Sequence, residues 1–123
     1  MKNPVHYLQI MILIALTVVF SCKKESDNTC NVANPVEDLT WLKNAIEDIK
    51  AQPDAGVYSI ISMANYNGET VFLMGYCNPL ANYVIPVINC SGNRIGIIGE
   101  ISQDSLIDMQ VIWKSENSLC NSL

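Results

Sequence analysis

The chain is poorest in the residues that most often do chemistry. Its 123 residues include one histidine, His6, and one arginine, Arg94. Residues 7–123 therefore cannot hold a serine or cysteine triad with a His base, a His-ligated zinc or a His proton shuttle. Positive charge is scarce too: 7 Lys and Arg stand against 12 Asp and Glu, a net charge of −5. Without a basic cluster nothing would neutralise phosphates, which excludes nucleic acid as a partner. No Cys-x-x-Cys pair, glycine-rich phosphate loop or calcium loop occurs. Glu37-Asp38 and Glu47-Asp48 are adjacent pairs that diverge around a helix, so they suit a solvated face better than paired-carboxylate hydrolysis. Asp104 and Asp108 would share a face only on a helix, and Arg94 sits beside a turn as a surface charge. The chain is expected not to be an enzyme and to need no cofactor or metal.

What is present begins with an address. Residues 1–7 carry one firm positive charge, Lys2, and residues 8–20 are apolar apart from Gln9 and Thr17. A basic start, a short apolar run and a small residue before the cut form the secretory-signal pattern. Thirteen residues at about 1.5 Å each span about 20 Å, short of the ~30 Å hydrocarbon core, so a retained transmembrane helix is disfavoured. Residues 1–21 are read as a removable signal. Its loss takes Lys2 away and leaves 102 residues with a net charge of −6, enough for one small domain.

Val19-Phe20-Ser21-Cys22 resembles a bacterial lipoprotein box, in which the cysteine is lipidated and becomes the first mature residue. Val19 and Phe20 depart from the commonest pattern, which has Leu and then a small residue. Cysteine parity agrees with the resemblance. Five cysteines in an exported chain leave one over, and lipidation of Cys22 leaves an even four. The resemblance implies covalent lipid on Cys22, two or three acyl chains of the palmitate kind, and these hold a protein stably on a membrane. Residues 22–33 then form a lipidated polar tether without apolar periodicity. Lys23 after the cysteine resembles outer-membrane sorting, on either the periplasmic or the surface side.

Residues 34–123 are expected to form a single α+β domain. Asn34-Pro35-Val36-Glu37 carries a helix cap, a first-turn proline and a capping-box glutamate. Val36, Leu39, Leu42, Ile46 and Ile49 then mark one face of an amphipathic helix running to about Ala51. Trp41 lies off that stripe, and packing against the sheet is the favoured role for it. Residues 57–66 and 69–76 flank Asn67-Gly68, the strongest short hairpin signal. A two-residue loop pairs Tyr66 with Glu69, Met63 with Phe72 and Ile61 with Met74, and this face is expected under the helix. Ile60, Ser62, Ala64, Val71 and Leu73 make the other face unusually apolar, so a further layer or a partner should cover it. A third strand at 83–89 contains Pro86, which requires an edge or a bulge. A fourth strand lies near 94–98, where Gly96 and Gly99 suggest close packing or a bulge. The last strand, 108–114, places Met109, Val111 and Trp113 on one side, with Ile112 out of pattern. The whole is one N-terminal amphipathic helix on a four- to five-stranded antiparallel meander, two layers of cystatin-like outline.

Asn34-Pro35-Val36-Glu37-Asp38-Leu39-Thr40-Trp41-Leu42-Lys43 resembles the opening of a family of small Bacteroidota lipoproteins. Glu69-Thr70-Val71-Phe72 and Asn89-Cys90-Ser91-Gly92-Asn93 are similar to later parts of that family. Arg94-Ile95-Gly96 departs from it, since a further cysteine is common there. The family has no assigned activity, so the resemblance implies location and fold but no mechanism.

Cys30, Cys77, Cys90 and Cys120 allow three pairings. In a meander Cys77 and Cys90 are a strand apart, about 23 Å, against the ~4.4–6.8 Å that a disulfide needs. Cys90 and Cys120 would follow strands running the same way, so Cys30–Cys77 and Cys90–Cys120 are expected, each worth about 4 kcal/mol. Trp41, Tyr58, Tyr66, Tyr76 and Tyr83 supply an aromatic surplus, and Trp41, Tyr58, Tyr66 and Tyr83 are the candidate binding side chains. These features suit a membrane-anchored, non-catalytic domain that binds an envelope protein or glycan. The alternative is a tethered hydrolase inhibitor presenting Asn67-Gly68 or Asn78-Pro79-Leu80.

Overall fold

A computed structural model describes residues 29–123. The signal at 1–21, the lipidation site Cys22 and tether residues 23–28 lie outside the described residues. The rest of the tether is structured at Thr29–Asn31, a 3-10 turn. Three helical segments follow: α1 (Pro35–Asp38), α2 (Thr40–Lys50) and α3 (Pro53–Tyr58). Strands β1 (Ser59–Tyr66), β2 (Glu69–Tyr76), β3 (Pro86–Asn89), β4 (Arg94–Ile97) and β5 (Leu106–Lys114) form one open antiparallel sheet in the order β4-β3-β2-β1-β5. The architecture is α+β. Among the described residues, no helix is long and apolar enough to cross a membrane.

The single expected helix is broken at Leu39, whose ψ of 106° is extended. Asn34 does not cap through its side chain. Its backbone N–H instead donates to the Asp38 carboxylate (2.9 Å), replacing the box expected from Glu37. The apolar stripe survives the break: Leu42 and Ile46 are buried against Ile61 and Phe72, with Val36, Leu39 and Ile49 packed around them. Burying each such side chain is worth about 1.5–3 kcal/mol. The expected start of the first strand at residue 57 is also corrected. Pro53 opens the third helical segment, α3, which runs through Tyr58 and leaves β1 to begin at Ser59.

The hairpin forms in the expected register, with Tyr66 opposite Glu69, Met63 opposite Phe72 and Ile61 opposite Met74. Asn67 and Gly68 both take positive φ (52° and 82°), as a tight two-residue turn demands. Ile61, Met63, Phe72 and Met74 belong to the helix-side core. Ala64, Val71 and Leu73 form a second core with Val87, Ile101 and Leu106 on the opposite face. The chain itself, through its crossing segment and C-terminus, covers part of that face. From β4 the chain crosses beneath the sheet through Ile98 and Ile101, and Leu123 packs there as well. Gly96 permits this crossing, because a Cβ there would stand 2.8 Å from Ile101.

The crossing carries β5 to the far edge beside β1, so only β1 to β4 form a meander. Ile112 is skipped where Trp113 pairs with Ile61 and Val111 with Ser62. That irregularity puts Trp113 and Val111 on opposite faces rather than together. Trp113 and Ile112 join the helix-side core, while Met109 and Val111 are substantially exposed. A second shift at Asp108, φ 55°, further irregularises this edge strand, which hinders pairing with other chains. Pro86 opens β3, where its missing N–H is tolerated, and a register shift follows between Val87 and Ile88. β3 lies between β4 and β2, so the proline is accommodated at the strand start and beside a bulge rather than on an edge.

All four domain cysteines are bridged, but in a different pairing from the one expected: Cys30–Cys90 (Cα–Cα 5.4 Å) and Cys77–Cys120 (5.7 Å). The reason is the place of β5. Antiparallel to β1, it runs in the same direction as β2, so the segments following β2 and β5 emerge at the same end of the sheet. There the Leu119 N–H donates to Val57 O (2.9 Å) and the Cys77 N–H to Tyr58 O (2.8 Å). Cys30 meets Cys90 at the other end, near the β1–β2 turn.

Candidate functional site

The aromatic candidates separate into two groups. Trp41 sits at the Cys30–Cys90 end, where its indole N–H donates to Cys90 O (2.9 Å) and its ring meets Phe72 edge-on at 5.4 Å. Gly92 lies directly beneath it: a Cβ there would approach the indole to 2.8 Å. Trp41 packs against Phe72, Cys90 and Gly92. Tyr66, beside the hairpin turn, packs on the core of the crossing-chain face. Neither lies near the other candidates.

Tyr58 and Tyr83 are brought together through Tyr76. Tyr58 and Tyr76 meet edge-on at 5.9 Å and 70°, and Tyr76 and Tyr83 meet at 5.4 Å and 56°. The three rings come from the end of α3, the end of β2 and the loop at 78–85. They gather at the Cys77–Cys120 end of the sheet. Burial raises the Tyr83 phenol above the usual tyrosine range, since the low-dielectric surroundings disfavour the phenolate.

Beside these rings an open groove of about 460 Å³ runs between helix and sheet, within the range of small-ligand pockets, roughly 300–1,000 Å³. Ala45, Asp48 and Ile49 of α2 form one wall; Ile61, Met74 and Tyr76 form the floor, and Tyr83 stands at the rim. Period-two geometry explains the floor, because Met74 and Tyr76 follow Phe72 on the helix side of β2. The helix ends before it has covered that end of the strand, and the groove is the remaining gap. Leu80 is 95% exposed on the adjoining loop, with Val84 also well exposed. The Leu80 N–H donates to Asn78 Oδ1 (2.9 Å), which shapes the loop tip.

Sequence reasoning singled out Tyr58 and Tyr83 but placed Tyr76 outside the candidate set and missed Ile49, Met74 and Asp48 as groove walls. The alternation 72, 74, 76 was a usable signal for Met74 and Tyr76. No comparable signal marked the place where the helix would stop covering them. Among the described residues, no three His, Cys, Asp or Glu side chains converge to hold a metal ion. Compared with protein-family models, curated proteins and solved structures, the chain matches none of them.

Proposed function

We propose that this chain is a lipid-anchored lipoprotein of the bacterial cell envelope, sorted to the outer membrane, whose domain is a non-catalytic binding module. The observation that carries the reading is cysteine parity. Cys30–Cys90 and Cys77–Cys120 consume four of the five cysteines, leaving Cys22, at the end of the lipoprotein-box-like segment, for the acyl chains. The covalent span from Cys22 to Cys30 is at most about 29 Å, eight residues at up to ~3.6 Å each. Cys30 is fastened to Cys90 at the hairpin end of the sheet, whereas the tyrosine groove opens roughly 24 Å away, one eight-residue strand distant. The tether thus joins the domain at one end of the sheet and the groove lies at the other, an arrangement that suits binding of an envelope protein or glycan while the anchor is held.

Leu80 supports the second reading, a tethered hydrolase inhibitor. Leu80, 95% exposed at the tip of the 78–85 loop, is the side chain such an inhibitor would insert. Asn67-Gly68 is disfavoured for that part, because it lies at the tethered end.

The anchor is tested by mass spectrometry of the full mature protein and by fractionation of Cys22→Ser cells. Acyl mass on Cys22 and release of the variant from membranes are expected. Membrane retention of Cys22→Ser with no acyl mass would overturn the reading. Photocrosslinking in intact cells from position 80, with position 67 as control, separates the two binding readings. A resident envelope partner favours the first, and a secreted or foreign hydrolase the second.

A further inference from the structure

We infer that the groove beside Tyr76 and Tyr83 receives an apolar side chain from a basic protein segment, not a sugar. This deepens the binding-module reading and rests on it. Sugars are commonly gripped by flat aromatic faces left open to stack on a ring. Here Tyr58, Tyr76 and Tyr83 turn their edges and faces on one another at 70° and 56°, and only Tyr83 is as much as about half exposed. Tilted on one another in this way, the rings share no flat platform.

The lining points the same way. Ala45, Ile49, Ile61 and Met74 offer methyl and methylene surface, and the methionine thioether adapts to side chains of different shape. Two of its polar side chains are engaged within the chain: Ser59 Oγ donates to Ala55 O at 2.6 Å, and Gln52 Nε2 to Asp48 O at 3.5 Å. A pyranose seated on Ala45, Ile49, Ile61 and Met74 would turn hydroxyls onto apolar surface, and any buried there without a partner would cost about 1–3 kcal/mol. A leucine or phenylalanine side chain has no hydroxyl to bury.

Charge selects the flanks of that segment. Asp48 is the one ionised group on the groove wall, and no Lys or Arg lines it. Among the described residues the only ion pair is Lys50–Glu47, so the exposed Asp48 beside the groove has no cation paired with it. A second copy of this chain, with its own net charge of −5, would be repelled from that carboxylate. A lysine or arginine next to the inserted side chain would be drawn to it.

The test is a methyl NMR titration of the full chain in dodecyl maltoside micelles with three probes: acetyl-Lys-Leu-Lys-amide, acetyl-Glu-Leu-Glu-amide and triacetylchitotriose. The lysine peptide is expected to shift the Met74 and Ile49 methyls, and Asp48→Asn to weaken it about fivefold, the size of one exposed charge contact. The glutamate peptide and the sugar should leave those methyls in place. Equal binding of the glutamate peptide, shifts caused by the sugar, or no shift with any probe would each overturn the inference. None of these results bears on the acylation of Cys22 or on crosslinking from position 80, so this inference can fail while the broader reading stands.

Discussion

Cys77→Ala combined with Cys120→Ala removes the bridge that ties the end of β2 to the C-terminal segment. The bridge closes a 43-residue separation, for which chain entropy assigns about 4 kcal/mol. Against a total stability of roughly 5–15 kcal/mol for a small domain, that is a large share. At 4–8 °C per kcal/mol for 60–100 residues, Tm should fall by about 15–30 °C. The loss should also be local. The Cys77 amide, donating to Tyr58 O, and the Leu119 amide, donating to Val57 O, should exchange with solvent faster in the variant. The Gly92 amide, donating to Asn89 O at the Cys30–Cys90 end, should keep more of its protection. Calorimetry and hydrogen exchange read the two effects, and non-reducing peptide mapping of the parent fixes the connectivity. A fall in Tm of less than about 5 °C, or a peptide joining Cys30 to Cys77, would refute the reasoning.

Two further outcomes follow from single residues. Gly92→Ala combines a φ of 82° with a Cβ only 2.8 Å from the Trp41 ring, and should cost about 1–3 kcal/mol in the urea midpoint. Gly56→Ala, which meets nothing within 4 Å, serves as the control and should not destabilise. Partial burial of Tyr83 disfavours its phenolate, so above the ordinary tyrosine pKa of about 10 the unfolded chain loses its proton first. Stability should therefore decline as pH rises from that value through the folded-state pKa, and Tyr83→Phe should lessen the decline. Difference ultraviolet titration of the parent against Tyr83→Phe should show the missing phenol ionising above pH 10. A missing component at or below 10 would contradict the burial argument.

Local signals were legible where the determinant was itself local. Asn67-Gly68 can satisfy a two-residue turn with positive φ, and that turn dictates every cross-strand pair from Tyr66–Glu69 to Ser59–Tyr76. The apolar stripe from Val36 to Ile49 identified the packed face even though Leu39 interrupts the helix, because burial depends on which side chains face the sheet rather than on unbroken hydrogen bonding. The helix break was not legible, since the Asp38 carboxylate competes with Glu37 for the Asn34 N–H, and side-chain geometry decides between them. Alternation in the last strand misled, because Ile112 bulges out of register and reverses the faces on either side of it. Of the candidate site, two tyrosines were named and their meeting through Tyr76 was not.

The amino-acid sequence alone established that residues 7–123 lack imidazole, that the chain is acidic, and that a hairpin of known register lies against an amphipathic helical stripe. Each follows from composition or from contacts among residues close in the chain. The tertiary structure alone decided where β5 would pair, and with it the connectivity Cys30–Cys90 and Cys77–Cys120 and the gathering of Tyr58, Tyr76 and Tyr83 at one end. Strand order depends on which apolar face the crossing segment buries. Ile98 and Ile101 bury against Val87, Leu73 and Ala64 only when the chain passes beneath the whole sheet to its far edge.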